Sequence, residues 1–152
     1  MRFVLIFFLF ISLFSFGQLP KSVDNLIGEW KFKTGSGLET WEMNGEELKG
    51  KEIRINKLGD SIVVEEMTIR FINEQFVYTI EEHKMYNDTV VHHYANRFVS
   101  KNRKMNFLNI DSNIPVSISY RFGFLNKRKV KIKIQFSPNE KPVKLLMYKN
   151  KM

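Results

Sequence analysis

Residues 128–136 have the sequence RKVKIKIQF, in which apolar side chains alternate with Lys or Gln from Lys129 to Phe136. Strict alternation has the period of a β-strand that packs one face on a core and exposes the other to water. Similar stretches, separated by turn residues, recur along the chain. Asn44-Gly45 is the clearest of these breaks, since this dipeptide is a strong hairpin signal. The sequence therefore predicts an all-β protein.

The chain divides into ten short predicted strands, because no helical period extends beyond one turn. The predicted strands are 29–34, 38–43, 48–56, 61–71, 75–83, 89–99, 104–109, 114–122, 128–136 and 143–149. Ser22 is placed to cap a short helical turn before the first strand. Short strands joined by tight turns predict an antiparallel up-and-down meander that closes into an eight- to ten-stranded barrel. A two-sheet sandwich is the alternative.

The N-terminus has the features of a signal peptide. A single Arg precedes an apolar run at 3–16, which is shorter than the ~20 residues of a membrane-spanning helix. Ser15 and Gly17 supply the small residues of a cleavage site. We expect residues 1–17 to be removed, leaving 18–152 as a single domain, periplasmic or secreted, without a transmembrane segment. An uncleaved N-terminal anchor is the alternative.

Charge is divided unequally along the chain. Residues 18–95 carry 9 Lys or Arg against 14 Asp or Glu, a net charge of −5, whereas residues 96–152 carry 14 against 2, a net charge of +12. The basic half is expected either to be a solvated strand face or to contact an acidic envelope surface. A nucleic-acid partner is not expected, because an exported protein meets little nucleic acid and no aromatic side chain interleaves with these Lys residues.

The start of the predicted first strand resembles a known family. Gly28-Glu29-Trp30 is similar to the G-x-W signature of lipocalins and their calycin relatives. In that family the Trp closes one end of the barrel beneath a basic residue of the last strand. The resemblance implies a lipocalin-like barrel, in which Lys149 or Lys144 takes the part of the basic residue.

A broader resemblance covers nearly all of residues 18–152. The order of short motifs is similar to that of a family of small exported bacterial lipocalin-like proteins without an established function. These motifs are Gly28-x-Trp30, Glu39-Thr40-Trp41, Leu48-x-Gly50, Glu65-Glu66, Tyr78, Phe98, Phe107-x-Asn109 and Pro115-x-x-Ile118-x-Tyr120. That family usually has a His-Asp pair where this chain has Ser112-Asn113, so any role of the pair is not carried over.

The candidate ligand-binding residues are aromatic side chains of the predicted strands and one acidic side chain. They are Trp41, Glu66, Tyr78, Tyr94 and Tyr120. Glu65 and Glu66 are adjacent in a strand, so one of the two must face the interior, and the sequence leaves open which one. A buried carboxylate needs a partner, and it serves either as a polar anchor for a ligand or as a structural hydrogen-bonding group. The aromatic residues either line a pocket or fill the core.

No catalytic, cofactor or metal motif emerges from the sequence. There is no Cys, so nucleophilic thiols, disulfides and lipid attachment at Cys are excluded. If Asn87-Asp88 forms a two-residue turn, His83 faces His92 across a hairpin, but two His residues without a third ligand make a poor zinc site. We expect neither an enzyme nor a cofactor-binding protein.

The sequence leaves two functions open. The first is a non-enzymatic barrel that binds a small apolar or amphipathic molecule in the cell envelope. The alternative is a structural or interaction protein with a filled barrel, whose basic C-terminal strands contact an acidic partner or surface. Whether the barrel interior is hollow separates the two, and the sequence does not specify the oligomeric state.

Overall fold

The computed structural model describes most of the chain after the predicted leader. The described residues are 21–35, 37–72, 75–83, 89–96, 103–109 and 115–150, with the backbone alone described for 21–22 and 89–96. The predicted signal peptide, its cleavage site, Phe98 and the Ser112-Asn113 pair lie outside these residues.

In the described part of the chain, ten strands follow one turn of helix, as the sequence predicts. The helix is α1 (Lys21–Asp24), and the strands are β1 (Gly28–Phe32), β2 (Gly37–Asn44), β3 (Glu47–Ile55), β4 (Ser61–Ile72), β5 (Gln75–His83), β6 (Thr89–Asn96), β7 (Lys104–Asn109), β8 (Ser117–Phe122), β9 (Lys129–Gln135) and β10 (Val143–Lys149). In the β2–β3 hairpin the two loop residues are Gly45 and Glu46, one position later than Asn44-Gly45, because Asn44 still pairs with Glu47. Gly45 has a positive φ of 63°, which suits glycine.

The strands form one closed antiparallel barrel. Each strand pairs with its neighbours in sequence, and β1 also pairs with β10. The predicted meander and barrel are therefore confirmed, and the two-sheet sandwich is wrong. The architecture is consistent with a lipocalin-like fold. No helix in the described part of the chain is long and apolar enough to cross a membrane.

Trp30 closes one end of this barrel, which we call the Trp30 end. Its side chain is fully buried, and its indole Nε1 donates a hydrogen bond to the backbone oxygen of Leu26 at 2.6 Å. The Nζ of Lys149 lies 5.5 Å from the centroid of the Trp30 ring. Of the two basic residues that the sequence suggested for this position, Lys149 is thus the one that covers Trp30.

Gly28 is required at the entry to β1 for two reasons. Its φ is +116°, a backbone conformation that side chains rarely allow, and a Cβ atom there would lie 2.7 Å from Cε of Lys149. The glycine of the G-x-W motif therefore makes room for the basic side chain that covers the Trp.

The buried core follows the inward positions of the strands. It joins side chains from the helix, from both halves of the barrel and from the Trp30 end. The most fully buried of these are Trp30, Tyr78, Phe107, Leu26, Leu48, Ile69, Met147 and Val130. They fill the Trp30 end and the middle of the barrel, and the opposite end is left less filled.

Candidate functional site

A cavity of about 530 Å³ lies inside the barrel toward the end opposite Trp30. Its wall is mainly apolar and includes Met67, Ile80, Ile118, Ile132 and Leu145. The lining reaches the β1–β2 connection and the residue that follows β9, so the cavity lies at the end where these connections meet. Its volume lies within the range of pockets that hold small molecules, about 300–1,000 Å³.

Four glutamates of neighbouring strands line this cavity. They sit directly opposite one another on four successive strands: Glu39 faces Glu52, Glu52 faces Glu65, and Glu65 faces Glu82. All four belong to the cavity wall. We call this set the glutamate row. Like charges directly opposite on neighbouring strands destabilise a sheet, so the row is not explained by the needs of the fold.

Glu39 is the most deeply buried member of the row. It is 3% exposed, and its carboxylate accepts a hydrogen bond from the indole Nε1 of Trp41. Burial raises the pKa of Glu39 to about 8, against the hydrogen bond from Trp41 and with a further contribution from the charges of Glu52 and Glu65. Glu39 is therefore largely protonated at neutral pH and can then donate as well as accept a hydrogen bond.

Glu65 and Glu52 lie nearer the solvent than Glu39. Burial raises the pKa of Glu65 to about 7, helped by the charges of Glu52 and Glu82 and opposed by Arg54. The guanidinium Nε of Arg54 lies 2.8 Å from Oε1 of Glu52. The row thus combines three kinds of carboxyl group. Glu52 is paired with Arg54, Glu65 titrates near neutral pH, and Glu39 remains protonated to a higher pH than Glu65.

Two tyrosines line the floor of the cavity beneath the glutamate row, and Trp41 packs against both of them. The hydroxyl groups of Tyr78 and Tyr120 lie 3.0 Å apart, and the Trp41 ring centroid lies 6.2 Å and 6.5 Å from those of Tyr78 and Tyr120. Burial raises the pKa of Tyr120 well above its ordinary value, and the charge of Glu39 adds to this. Gly50 allows the floor to form, because a Cβ atom there would lie 2.7 Å from the Trp41 ring.

Glu66 faces the opposite way from the other acidic residues of the site. Its carboxylate lies on the outer surface, 3.1 Å from Nζ of Lys51 and 3.6 Å from Nε2 of His83. The hydrogen bond from Lys51 lowers the pKa of Glu66. The interior carboxylate of the Glu65-Glu66 pair is therefore Glu65, and the expectation that Glu66 lines the pocket is wrong.

The suggested pairing of His83 with His92 is also wrong. His83 lies opposite Thr89, and His92 lies opposite Ile80, because five residues, not two, separate β5 from β6. Within the described ranges, no group of three or more His, Asp and Glu residues has an arrangement that would hold a metal ion.

The structure brings three of the five predicted site residues together. Tyr78 and Tyr120 line the cavity, and Trp41 contacts both of them and Glu39. The backbone of Tyr94 pairs with that of Tyr78, and the Tyr94 side chain lies outside the described residues.

Sequence reasoning missed most of the glutamate row. Its members were visible as the next inward positions beside Trp41, Gly50, Met67 and Ile80. Because inward residues recur at every second position, extending each apolar series by one step would have pointed to Glu39, Glu52, Glu65 and Glu82.

Comparisons with known proteins do not identify a family. No family model matches the chain, and no curated protein is significantly similar to it in sequence.

Proposed function

We propose that this protein is a non-enzymatic carrier or receptor barrel that binds a small amphipathic molecule with a positively charged head. The observation that carries the proposal is the glutamate row in the wall of an otherwise apolar cavity of about 530 Å³. The apolar wall suits a hydrocarbon body, and the carboxylates suit a protonated amine. The features of a signal peptide favour the periplasm or the cell exterior as its location, and the G-x-W motif supports a calycin relative.

The charge of the site favours a cation over a neutral or anionic ligand. In the described part of the chain, Arg54 is the only basic residue in the cavity wall, and it pairs with Glu52. Glu65 has carboxylates directly opposite on both neighbouring strands. An ammonium group placed beside Glu65 would offset this repulsion, because an opposite charge nearby stabilises the ionised carboxylate. A carboxylate ligand would increase the repulsion.

The cavity also bears on the alternative of a filled, purely structural barrel. A space of this size is larger than the few water-sized voids of a packed interior. Its lining by apolar side chains with a few converging polar groups is the usual composition of a small-molecule site. These features support ligand binding over a filled core.

Three ligands of equal chain length test the proposal: decylamine, decanol and decanoate, measured by isothermal titration calorimetry at neutral pH. We expect decylamine to bind about tenfold or more tightly than decanoate, since an unfavourable charge in a buried site costs over 1.4 kcal/mol. Equal affinities would contradict the assignment of the glutamate row, and binding of none of the three would contradict the ligand-binding function.

A matched pair of variants places the binding at the cavity. Glu65→Gln removes an interior carboxylate, and Glu66→Gln removes the neighbouring carboxylate from the outer face. We expect Glu65→Gln to weaken decylamine binding about tenfold, the effect of losing one partly buried charge pair. Glu66→Gln should leave binding unchanged. Equal losses in both variants would indicate association with the outer surface.

A further inference from the structure

The β8–β9 hairpin ends in two adjacent apolar side chains that project into solvent. Phe124 is 73% exposed and Leu125 is 93% exposed. This hairpin lies at the Trp30 end, because the Phe122 ring at the end of β8 lies 6.0 Å from that of Trp30. Large apolar groups that are exposed side by side at a loop tip are a feature of interaction surfaces.

Hydrogen bonds hold the backbone of this hairpin tip in a defined conformation. The backbone amide of Gly123 donates to the oxygen of Lys129 at 2.9 Å, and the amide of Arg128 donates to Oδ1 of Asn126 at 2.9 Å. A Cβ atom at Gly123 would lie 2.6 Å from the backbone oxygen of Asn126. The loop is therefore closely built, and the two apolar residues are its outermost part.

Basic residues surround the tip. The guanidinium carbon of Arg103 lies 3.8 Å from the centroid of the Phe124 ring. Lys104, Arg121 and Lys131 sit directly opposite one another on the outer face of β7, β8 and β9. We call these four cations the basic face. None of the ion pairs formed within the described ranges involves any of them.

Among the described residues, Leu58 is the other large apolar residue that is mostly exposed, and its surroundings differ. Leu58 is 87% exposed in the β3–β4 turn at the opposite end of the barrel. Its flanking charges are Lys57 and Asp60, which are of both signs, and Asp60 accepts a hydrogen bond from Asn56 at 3.0 Å. The β8–β9 tip is distinct because its apolar pair lies beside cations of one sign.

We propose that the Trp30 end of the barrel docks on an anionic lipid bilayer, with Phe124 and Leu125 entering the interface and the basic face contacting the lipid headgroups. An apolar tip beside Lys and Arg is the combination that binds membrane interfaces, through buried apolar area and attraction to acidic lipids together. An anionic bilayer matches both parts of this surface, because its headgroups carry the charge that the basic face lacks and its interface accepts the two exposed apolar side chains.

The orientation that follows leaves the cavity accessible. The glutamate row and the cavity lie toward the end opposite Trp30, so docking through the β8–β9 tip directs the cavity away from the bilayer. The docking surface and the cavity use different residues. Each can therefore fail its test without affecting the other.

The experiment uses the absence of Cys in the chain. Leu125→Cys and Leu58→Cys each receive a single environment-sensitive fluorophore on the full chain. Both are mixed with vesicles of phosphatidylglycerol and phosphatidylethanolamine, or of phosphatidylcholine alone. Because the two proteins share the same N-terminal residues, any association through the apolar run at 3–16 affects both equally.

We expect the label at position 125, and not the one at 58, to shift to the blue and gain intensity with the anionic vesicles. The change should be reversed in about 1 M salt, where the Debye length falls to about 3 Å. Adding Arg121→Gln and Lys131→Gln should weaken the vesicle association about tenfold or more, since each cation near an anionic surface contributes severalfold to binding.

Three results would overturn the proposal. An equal response at positions 58 and 125 would show non-specific adsorption. An equal response to phosphatidylcholine would remove the role of the basic face. A response without vesicles that grows with protein concentration would assign the tip to contact with a second copy of the chain.

Discussion

Strands β2–β5 place a row of charged side chains inside the barrel, whereas the charged side chains of strands β7–β9 that the structure describes lie on the outer face. In the first group four glutamates point inward, directly opposite one another on successive strands. In the second group the cations of the basic face point outward, and the inward positions are apolar, as at Ile118 and Ile132. The linear patterns look alike, because charged and apolar residues alternate in both, but they place charge in different surroundings.

The face of a strand on which a charged side chain lies, more than the net charge of the strand, determines the effect of that charge. A cation on the outer face keeps its water, so the fold tolerates many of them at little cost. A carboxylate on the inner face loses water, and its pKa rises, as it does for Glu39 and Glu65. Interior charge therefore indicates a site, and exterior charge indicates at most a surface for association.

We expect the largest loss of stability when a carboxylate is introduced on the inner face of β9. Ile132 is 4% exposed and lies opposite Tyr120, the neighbour of Glu39. We expect Ile132→Glu to lower the free energy of unfolding by about 3 kcal/mol or more, because it buries a charge without a partner. Chemical denaturation followed by tryptophan fluorescence measures this loss.

The control is the next residue on the same strand. Lys133 points outward and is exposed, so Lys133→Glu should change the free energy of unfolding by less than about 1 kcal/mol. Similar losses for the two variants would show that β9 does not present Ile132 to the interior.

The second effect is a dependence of stability on pH that originates in the glutamate row. The folded-state pKa values of Glu39 and Glu65 are about 8 and about 7, both above the ordinary 4.5. Between these values the folded chain holds protons that the unfolded chain releases, so the contribution of the two groups to stability is fully present below about pH 4.5 and is lost as the pH rises through 7 and 8. We expect a loss of about 2 kcal/mol or more from about pH 5 to about pH 9, since each unit of displacement corresponds to about 1.4 kcal/mol.

Urea titrations across this pH range measure the decline. The double variant Glu39→Gln with Glu65→Gln should flatten it, because neither side chain then titrates. Glu66→Gln should leave the decline in place, because Glu66 is paired on the outer face and its pKa is lowered. A wild-type protein that becomes more stable from pH 5 to pH 9 would contradict the buried placement of the row.

Alternation and turn residues sufficed to predict the fold, since each of the ten described strands overlaps a predicted one, with ends that differ by up to three residues. The resemblance to the G-x-W motif also implied that Trp30 lies beneath a basic residue, and of the two candidates Lys149 takes that position. These features could be predicted because turn residues and alternating apolar positions determine the structure of residues close to them in sequence.

The site depended on register, which local patterns do not specify. A shift of one or two positions moves a side chain to another face or another partner. The two-residue turn assumed at Asn87-Asp88 paired the wrong His residues. Alternation alone can place Glu65 on the inner face, but only the pairing of β4 with β3 and β5 shows that other glutamates lie directly opposite it. The glutamate row joins four strands, so it emerges only when three registers are known together.

A third substitution, at Glu65, is expected to change stability and ligand binding in opposite directions. Replacing this carboxylate by Leu removes a desolvated charge that lies between two others. We expect Glu65→Leu to raise the free energy of unfolding by about 1 kcal/mol at about pH 8, where Glu65 is ionised, because apolar replacements of poorly paired buried charges are often stabilising. The same variant should lose affinity for decylamine. Thermal unfolding and calorimetry on one preparation measure both, and a loss of stability would show that Glu65 is a structural group.

The smallest effect belongs to the outer face, where charge is well hydrated. Arg121 has Lys104 opposite on one side and Lys131 opposite on the other, so Arg121→Glu replaces two unfavourable cross-strand pairs by two favourable ones. We expect a gain of about 0.5 kcal/mol in the free energy of unfolding at low salt, the usual size for such pairs. The gain should disappear in about 1 M salt, and Arg121→Gln should give a smaller one. Because this change stabilises the barrel while it weakens attraction to anionic vesicles, a cationic residue at 121 is better explained by a partner than by the fold. If Arg121→Glu instead lowers the free energy of unfolding, the Arg121 side chain contributes to the packing of the barrel itself.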